Sequence, residues 1–236
     1  MKSWVDFWNA EHSIYVNDRH KQLHAAAIAR DIARHIPATD AVVLDYGCGE
    51  ALYAQNVAKL CGRLILCDAA PKVCADLAQR LAGSTTIDVM EPTGVEQLPD
   101  ASLDLIVVNS VLQYLDRILL ERLLDLWRSK LKPDARLVIA DVIPPGVNPL
   151  RDAAALLLFA TRGGFLLPAI GGLVKTALSD YGKIRKALGF SMYREDEFVA
   201  LLAAHGLAAS RSRPNFGHNQ ARMTFAAPAT TCGITR

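Results

Sequence analysis

The stretch Val42-Val43-Leu44-Asp45-Tyr46-Gly47-Cys48-Gly49-Glu50-Ala51 decides the fold of this 236-residue chain. A short apolar run rich in β-branched residues reads as a buried strand. It ends in an Asp and a Gly-x-Gly turn, and a helical pattern follows over residues 52–60. A second apolar run, Leu64-Ile65-Leu66-Cys67, then ends in Asp68. This is the βαβ unit of a nucleotide-type site. Its glycines let backbone approach a ligand closely, and an acid after the second strand can hold ribose hydroxyls.

The same alternation continues on both sides. A helical pattern over residues 13–36 ends at Pro37. Further strands are expected at 41–45, 63–68, 85–89, 103–109 and 136–142. Helices are expected at 71–81 and 119–131, the latter stopped by Pro133. A closing helix over 195–205 precedes two strand-like runs near 208–212 and 222–227. Strands alternating with helices imply a mostly parallel sheet covered on both faces.

Composition narrows the class. Half of the residues (51%) are hydrophobic, enough for a sizeable core, and the net charge of +2 leaves no broad nucleic-acid footprint. The five cysteines form no CxxC pair and read as small buried residues of a reducing compartment. No His/Cys/Asp/Glu cluster has metal-ligand spacing. Residues 1–12 lack the uninterrupted apolar stretch of a signal peptide, so a cytoplasmic protein is expected.

The ligand is the open question. The third glycine of the dinucleotide fingerprint would fall at residue 52, which is Leu52, so a pyrophosphate fits poorly. Instead, Asp45-x-Gly47-x-Gly49-x-Ala51 resembles motif I of the class I methyltransferases that use S-adenosylmethionine, with Ala51 at the place of a usual third Gly. Gln97-Leu98-Pro99-Asp100-Ala101-Ser102-Leu103-Asp104 resembles that family's run into strand 4. Asn109-Ser110-Val111-Leu112-Gln113-Tyr114-Leu115 resembles the segment after it, with Gln113 where many members carry His. Leu131-Lys132-Pro133-Asp134-Ala135-Arg136-Leu137 resembles the run into strand 5. The blocks cover residues 40–143 in the family's order. The resemblance implies an α/β, Rossmann-like methyltransferase fold: a mostly parallel seven-stranded sheet, a C-terminal antiparallel hairpin and a helical insertion after strand 5. It divides the chain into a helical cap (1–38), a cofactor core (39–143), an apolar insertion (144–194) and a closing helix with hairpin (195–236).

It also implies roles. Asp45, Gly47, Cys48 and Gly49 would face the amino-acid part of S-adenosylmethionine. Asp68 would take the ribose hydroxyls, although an Asp there also suits a helix N-cap. Ala69 would flank the adenine. Gly94 stands where the family often has Asp, which leaves the adenine to the Val95 amide and Glu96. Asn109 and Ser110 lie at the carboxyl end of strand 4, where open α/β sheets bind ligands. Tyr15 would close over the cofactor. Asp141 and His218 are the candidates for catalytic roles; His12 and His20 are lesser ones. No base is obligatory, because a sulfonium methyl group needs mainly alignment.

Residues 149–193 carry the substrate signal. Ala153 to Ala160 is almost wholly apolar, and Gly163 to Val174 carries no charge, but glycine pairs and Pro168 interrupt a run already too short to span a bilayer. Four roles are open: a lid over a lipophilic small-molecule acceptor, a peripheral membrane contact through Lys175, Lys183, Arg185 and Lys186, a buried helical pair extending the core, and a homodimer interface. The leading function is methyl transfer to a small, lipophilic acceptor. The alternatives are a nicotinamide-dependent oxidoreductase and a non-catalytic scaffold.

Overall fold

The computed structural model describes residues 15–147, 149–177 and 190–228. His12, Lys183, Arg185 and Lys186 lie outside them, as does the side chain of Lys175. The order along the chain is α1 (Asp18–Ala33), β1 (Val42–Tyr46), α2 (Ala54–Ala58), β2 (Arg63–Cys67), α3 (Pro71–Arg80), β3 (Ile87–Met90), α4 (Pro92–Glu96) and β4 (Leu103–Asn109). It continues with a 3₁₀ turn (Leu112–Tyr114), α5 (Arg117–Lys130), β5 (Leu131–Val142), α6 (Pro149–Gly163), α7 (Leu166–Ala177), α8 (Glu195–Ala204), β6 (Ser210–Ser212) and β7 (Met223–Pro228). The seven strands form one sheet in the order β3-β2-β1-β4-β5-β7-β6. The first five run parallel, and β7 pairs antiparallel with both β5 and β6.

Strand periodicity explains why both faces are covered. Successive side chains point to opposite faces. Leu44, Tyr46, Ile65, Ile106, Val108, Leu137 and Ile139 enter one core with Trp127 of α5 and Phe198 of α8. Val43, Leu64, Leu66, Leu105, Val107, Val138 and Ala140 enter the other with Ile32 of α1, Val57 of α2 and Leu77 of α3. Asp45 belongs to this second parity, so the site acid of β1 opens toward the α1 side. The strand order reverses between β2 and β4 on either side of β1, and ligands settle at the carboxyl ends of such a switch point.

Boundaries shift where side chains and turns compete with propensity. The N-terminal helix starts at Asp18 because the Asn17 side chain accepts the His20 N–H at 2.8 Å. Strand β5 begins at Leu131, five residues before the expected start and ahead of Pro133. The Ala101 and Ser102 N–H groups donate to the carbonyls of Ser129 and Lys130 at 2.9 Å each. The end of α5 is thereby stitched to the start of β4. Leu131 then pairs with Leu103 across a register shift, and Asp134 turns the chain with φ of 62°.

Candidate active site

The Gly47-Cys48-Gly49 turn is folded back on β2. The Gly47 and Cys48 N–H groups both donate to the Cys67 carbonyl, at 2.7 and 3.0 Å. The Gly49 N–H donates to Asp68 Oδ2 at 2.9 Å, and the Ala70 N–H to Asp68 Oδ1 at 2.9 Å. The two glycines serve different ends. A Cβ on Gly47 would lie 2.2 Å from Val111 Cγ2, so this glycine is fixed by packing of the β4 turn. A Cβ on Gly49 would meet nothing within 4 Å, so the turn faces open space there. Both have positive φ, 76° and 55°.

Ala51, at the family's third glycine, has φ of 38°. The departure from Gly is therefore one of backbone conformation rather than side-chain size. Arg80 of α3 holds this segment by donating to the Glu50 and Ala51 carbonyls. Ala51→Gly is expected to stabilise the protein by about 1 kcal/mol, the relief of left-handed strain less the added entropy of the unfolded chain. Urea unfolding checks this; a lower midpoint at unchanged slope would show that the strain is not there.

Two carboxylates line the opening. Asp45 is buried at the end of β1, and burial followed by the charge of Asp68 pushes its carboxyl up to about 7. Burial also raises Asp68, opposed by the N–H groups of Ala70, Gly49 and Ala69. Among the described residues no basic side chain offsets either charge. Each Asp68 oxygen takes one backbone N–H at 2.9 Å, which leaves acceptor capacity for a ligand. Ala69 is exposed beside it. Cys48 is half-buried and its thiol is pushed up, by burial first.

Two further side chains end at the carboxyl edge of the sheet with polar atoms unmatched. Asn109 Oδ1, at the end of β4, is buried and without a hydrogen-bond partner, as is Gln113 Oε1 in the following turn. A buried unpaired carbonyl costs about 1–3 kcal/mol and favours whatever donor a ligand brings. Val95 is wholly buried in α4, and Glu96 beside it is exposed.

Ser110 and Asp141 start a polar chain at the carboxyl ends of β4 and β5. Both have positive φ, 57° and 61°, at the ends of β4 and β5. The Ser110 hydroxyl donates to Asp141 Oδ2 at 2.8 Å, and the Asp141 N–H donates to Asn215 Oδ1 at 3.2 Å. Asn215 Nδ2 donates to the Asn219 carbonyl at 2.9 Å. Asn219 Nδ2 and Arg222 Nη2 both reach Asp152 of α6, each at 2.8 Å. The insertion is thus tied to the sheet through a chain of hydrogen bonds, and burial raises the Asp141 carboxyl.

The other expected residues meet in an aromatic cluster beneath the insertion. His218 stacks on Phe159 of α6 with ring centres 4.7 Å apart, and His20 stacks on Phe165 at 5.1 Å. Tyr15 packs edge-on to His20 at 5.3 Å and tilts against His24 at 5.7 Å. His24 completes the group, 5.8 Å from His218. Burial, then the neighbouring imidazoles, pulls His20 down to about 4 and His24 to about 3, and burial lowers His218. These rings are neutral at physiological pH. Burial, then the charge of Glu50, pushes the Tyr15 phenol up to about 12. Glu50 itself pairs with Lys21 at 2.5 Å, which ties α1 to the segment after the Gly-x-Gly turn. Asp141 meets the 215–222 loop at Asn215, whereas His218 of the same loop stands in the aromatic cluster. His24 was not singled out from sequence, and Gln113 was noted only as standing where many family members carry His. His24 stands four residues after His20, a spacing that puts both on one helix face.

Comparison with known proteins agrees with this geometry. Residues 44–139 match a family model described as a methyltransferase domain. Nodulation protein S of Sinorhizobium fredii (strain NBRC 101917 / NGR234) is similar, at 30% identity over 112 residues, 47% of this chain and 48% of that protein. The chain thus matches about half the length of this curated relative. Among solved structures, a DhpI complex with S-adenosylhomocysteine shares the fold at a TM-score of 0.60 and 15% identity, covering 96% of this chain and 95% of that one. Magnesium protoporphyrin IX methyltransferase of Synechocystis PCC 6803, with bound S-adenosylhomocysteine, shares it at a TM-score of 0.54 and 16% identity, covering 94% and 90%. Residues 44–139 are thus similar in sequence to a methyltransferase domain, and the chain shares its fold with these solved structures.

Proposed function

We propose that this chain transfers a methyl group from S-adenosylmethionine to a small, lipophilic acceptor held beneath the insertion. The observation that carries the cofactor is the charge and hydrogen-bond state of the turn. A pyrophosphate needs free loop N–H groups and positive potential. Here the N–H groups of Gly47, Cys48 and Gly49 already have partners, two carboxylates stand at the opening, and the nearby cations are engaged, Lys21 by Glu50 and Arg80 by the Glu50 and Ala51 carbonyls. That arrangement repels a dinucleotide and suits a ligand with cationic centres and ribose hydroxyls.

Asp45 would hold the amino-acid end, Asp68 the ribose, and Asn109 would accept a donor from the cofactor through its unmatched oxygen. When bound, the cofactor supplies a methyl group already activated on a sulfonium. The chain's part is then alignment, which removes on the order of 7–11 kcal/mol of barrier in favourable cases. The acceptor side is the neutral aromatic cluster of Tyr15, His20, His24, Phe159 and His218. Its rings are neutral and largely apolar, so it favours an uncharged, largely apolar molecule. The buried, unpaired Nδ1 atoms of His24 and His218 are available to meet a polar group on that molecule. Asp141, fixed by Ser110 and Asn215, would position the loop that carries His218.

Calorimetric titration with S-adenosylhomocysteine, NAD and NADP tests the reading. Binding of S-adenosylhomocysteine alone is expected. Binding of a dinucleotide in its place would return the oxidoreductase alternative, and binding of none would leave a scaffold.

A further inference from the structure

The inner face of the insertion is accounted for by its packing on α1 and the histidine cluster; the outer face is not. Nine large hydrophobic side chains are exposed among the described residues, and five of them, Leu150, Leu158, Leu166, Leu167 and Ile170, fall in the short α6–α7 hairpin. Their exposures are 73%, 54%, 38%, 81% and 49%, so they are not edges of the core. The buried residues of the same hairpin, Ala160 of α6, Phe165 of the turn and Ala169 of α7, form the small cluster against Val16 and Leu23. The hairpin has two apolar faces, and only one is covered.

Charge is sorted in the same way. The acid of α6, Asp152, turns inward and pairs with Arg222 at 2.8 Å. Arg151 and Arg162 are exposed, and Arg162 stands in the last turn of α6, just before the bend that leads to Leu166 and Leu167. An apolar surface rimmed by basic groups is the pattern of a segment lying in a bilayer interface. Two copies joined through this face would gather basic groups at the contact, whereas an anionic surface would be complementary. Among the described residues no helix is long and apolar enough to cross a membrane, so the contact is a peripheral one.

We propose that the outer face of the α6–α7 hairpin docks on an anionic phospholipid bilayer, with Leu158, Leu166, Leu167 and Ile170 entering the acyl boundary and Arg151 and Arg162 meeting the headgroups. The docking rests on the surface itself and stands whether or not the methyl-transfer reading holds. If both hold, a lipophilic acceptor reaches the histidine cluster from the membrane side.

Vesicle sedimentation tests it, using the full chain with phosphatidylcholine vesicles and with vesicles containing phosphatidylglycerol. Sedimentation with the anionic vesicles, weakened by added salt, is expected. Leu158→Ser/Leu166→Ser/Leu167→Ser should lower the partition coefficient at least tenfold, and Arg151→Gln/Arg162→Gln should remove the preference for phosphatidylglycerol. All five side chains are solvent-exposed, and an unchanged thermal melt confirms that each variant folds. Three results would overturn the proposal: no sedimentation with anionic vesicles, undiminished sedimentation of the serine variant, or equal binding to neutral vesicles. A dimer that the serine variant dissociates, with no vesicle binding by the parent chain, would assign the face to a second copy instead.

Discussion

Asp68→Ala is expected to weaken S-adenosylhomocysteine binding by about 100-fold or more. A carboxylate that receives two ribose hydroxyls makes two charge-assisted hydrogen bonds, each contributing about 1.5–3 kcal/mol. Loss of one in full and part of the second already amounts to about 3 kcal/mol. Asp68 also accepts the Gly49 and Ala70 N–H groups at 2.9 Å each, so its removal leaves the turn with two unmet donors. Two controls separate the roles. Asp68→Asn keeps an acceptor for one N–H and should fall between the parent and the alanine variant. 5′-Methylthioadenosine, which has the ribose but no amino-acid portion, should lose the same factor as S-adenosylhomocysteine. Unchanged affinity in the alanine variant would refute the ribose role and leave Asp68 as a turn-capping residue.

What could be read from the sequence depended on the range of the physics involved. The β1–β2 unit was legible because its signals are local: an apolar run, an acid, glycines that need positive φ, a second run and acid. The sheet of seven strands and its antiparallel β5–β7 pairing followed from the ordered blocks of resemblance. The early start of β5 was hidden, because it depends on Ala101 and Ser102 bonding the end of α5, about thirty residues away. At Gly47 the sequence pointed to a ligand's approach, whereas the nearest obstacle to a side chain is Val111, again a distant partner. The acceptor side was the least legible. His20, His24 and His218 converge only because α1, α6 and the 215–222 loop close on one another, and no local pattern encodes that meeting. The apolar insertion was visible as composition, but its division into a packed face and an outward face required the fold.

Asp45→Asn should move binding and stability in opposite directions. Burial and the nearby Asp68 raise the Asp45 carboxyl from 3.8 to about 7 in the folded protein. The folded state therefore binds a proton more tightly than the unfolded chain does. Stability linked to this group is fully present below about pH 4, falls as pH rises toward 7 and is flat above. A carboxyl held near 7 opposes folding at pH 8 by up to about 4 kcal/mol, and an uncharged amide of the same shape should recover about 2 kcal/mol of it. The ligand-free variant should thus melt several degrees higher than the parent at pH 8, with the two converging near pH 4. Binding follows the reverse course. Ionised Asp45 attracts the cationic centre of S-adenosylmethionine, so affinity in the parent chain should climb about tenfold between pH 6 and 8. In Asp45→Asn that slope should vanish, and affinity at pH 8 should fall by about 10- to 100-fold, while 5′-methylthioadenosine, lacking the amino-acid portion, should bind both proteins alike. Thermal melts and calorimetry across pH 4–8 read both effects. A variant that melts lower at pH 8, or one that keeps the parent's pH slope in binding, would show that the charge of Asp45 is neither the cost nor the attraction assigned to it.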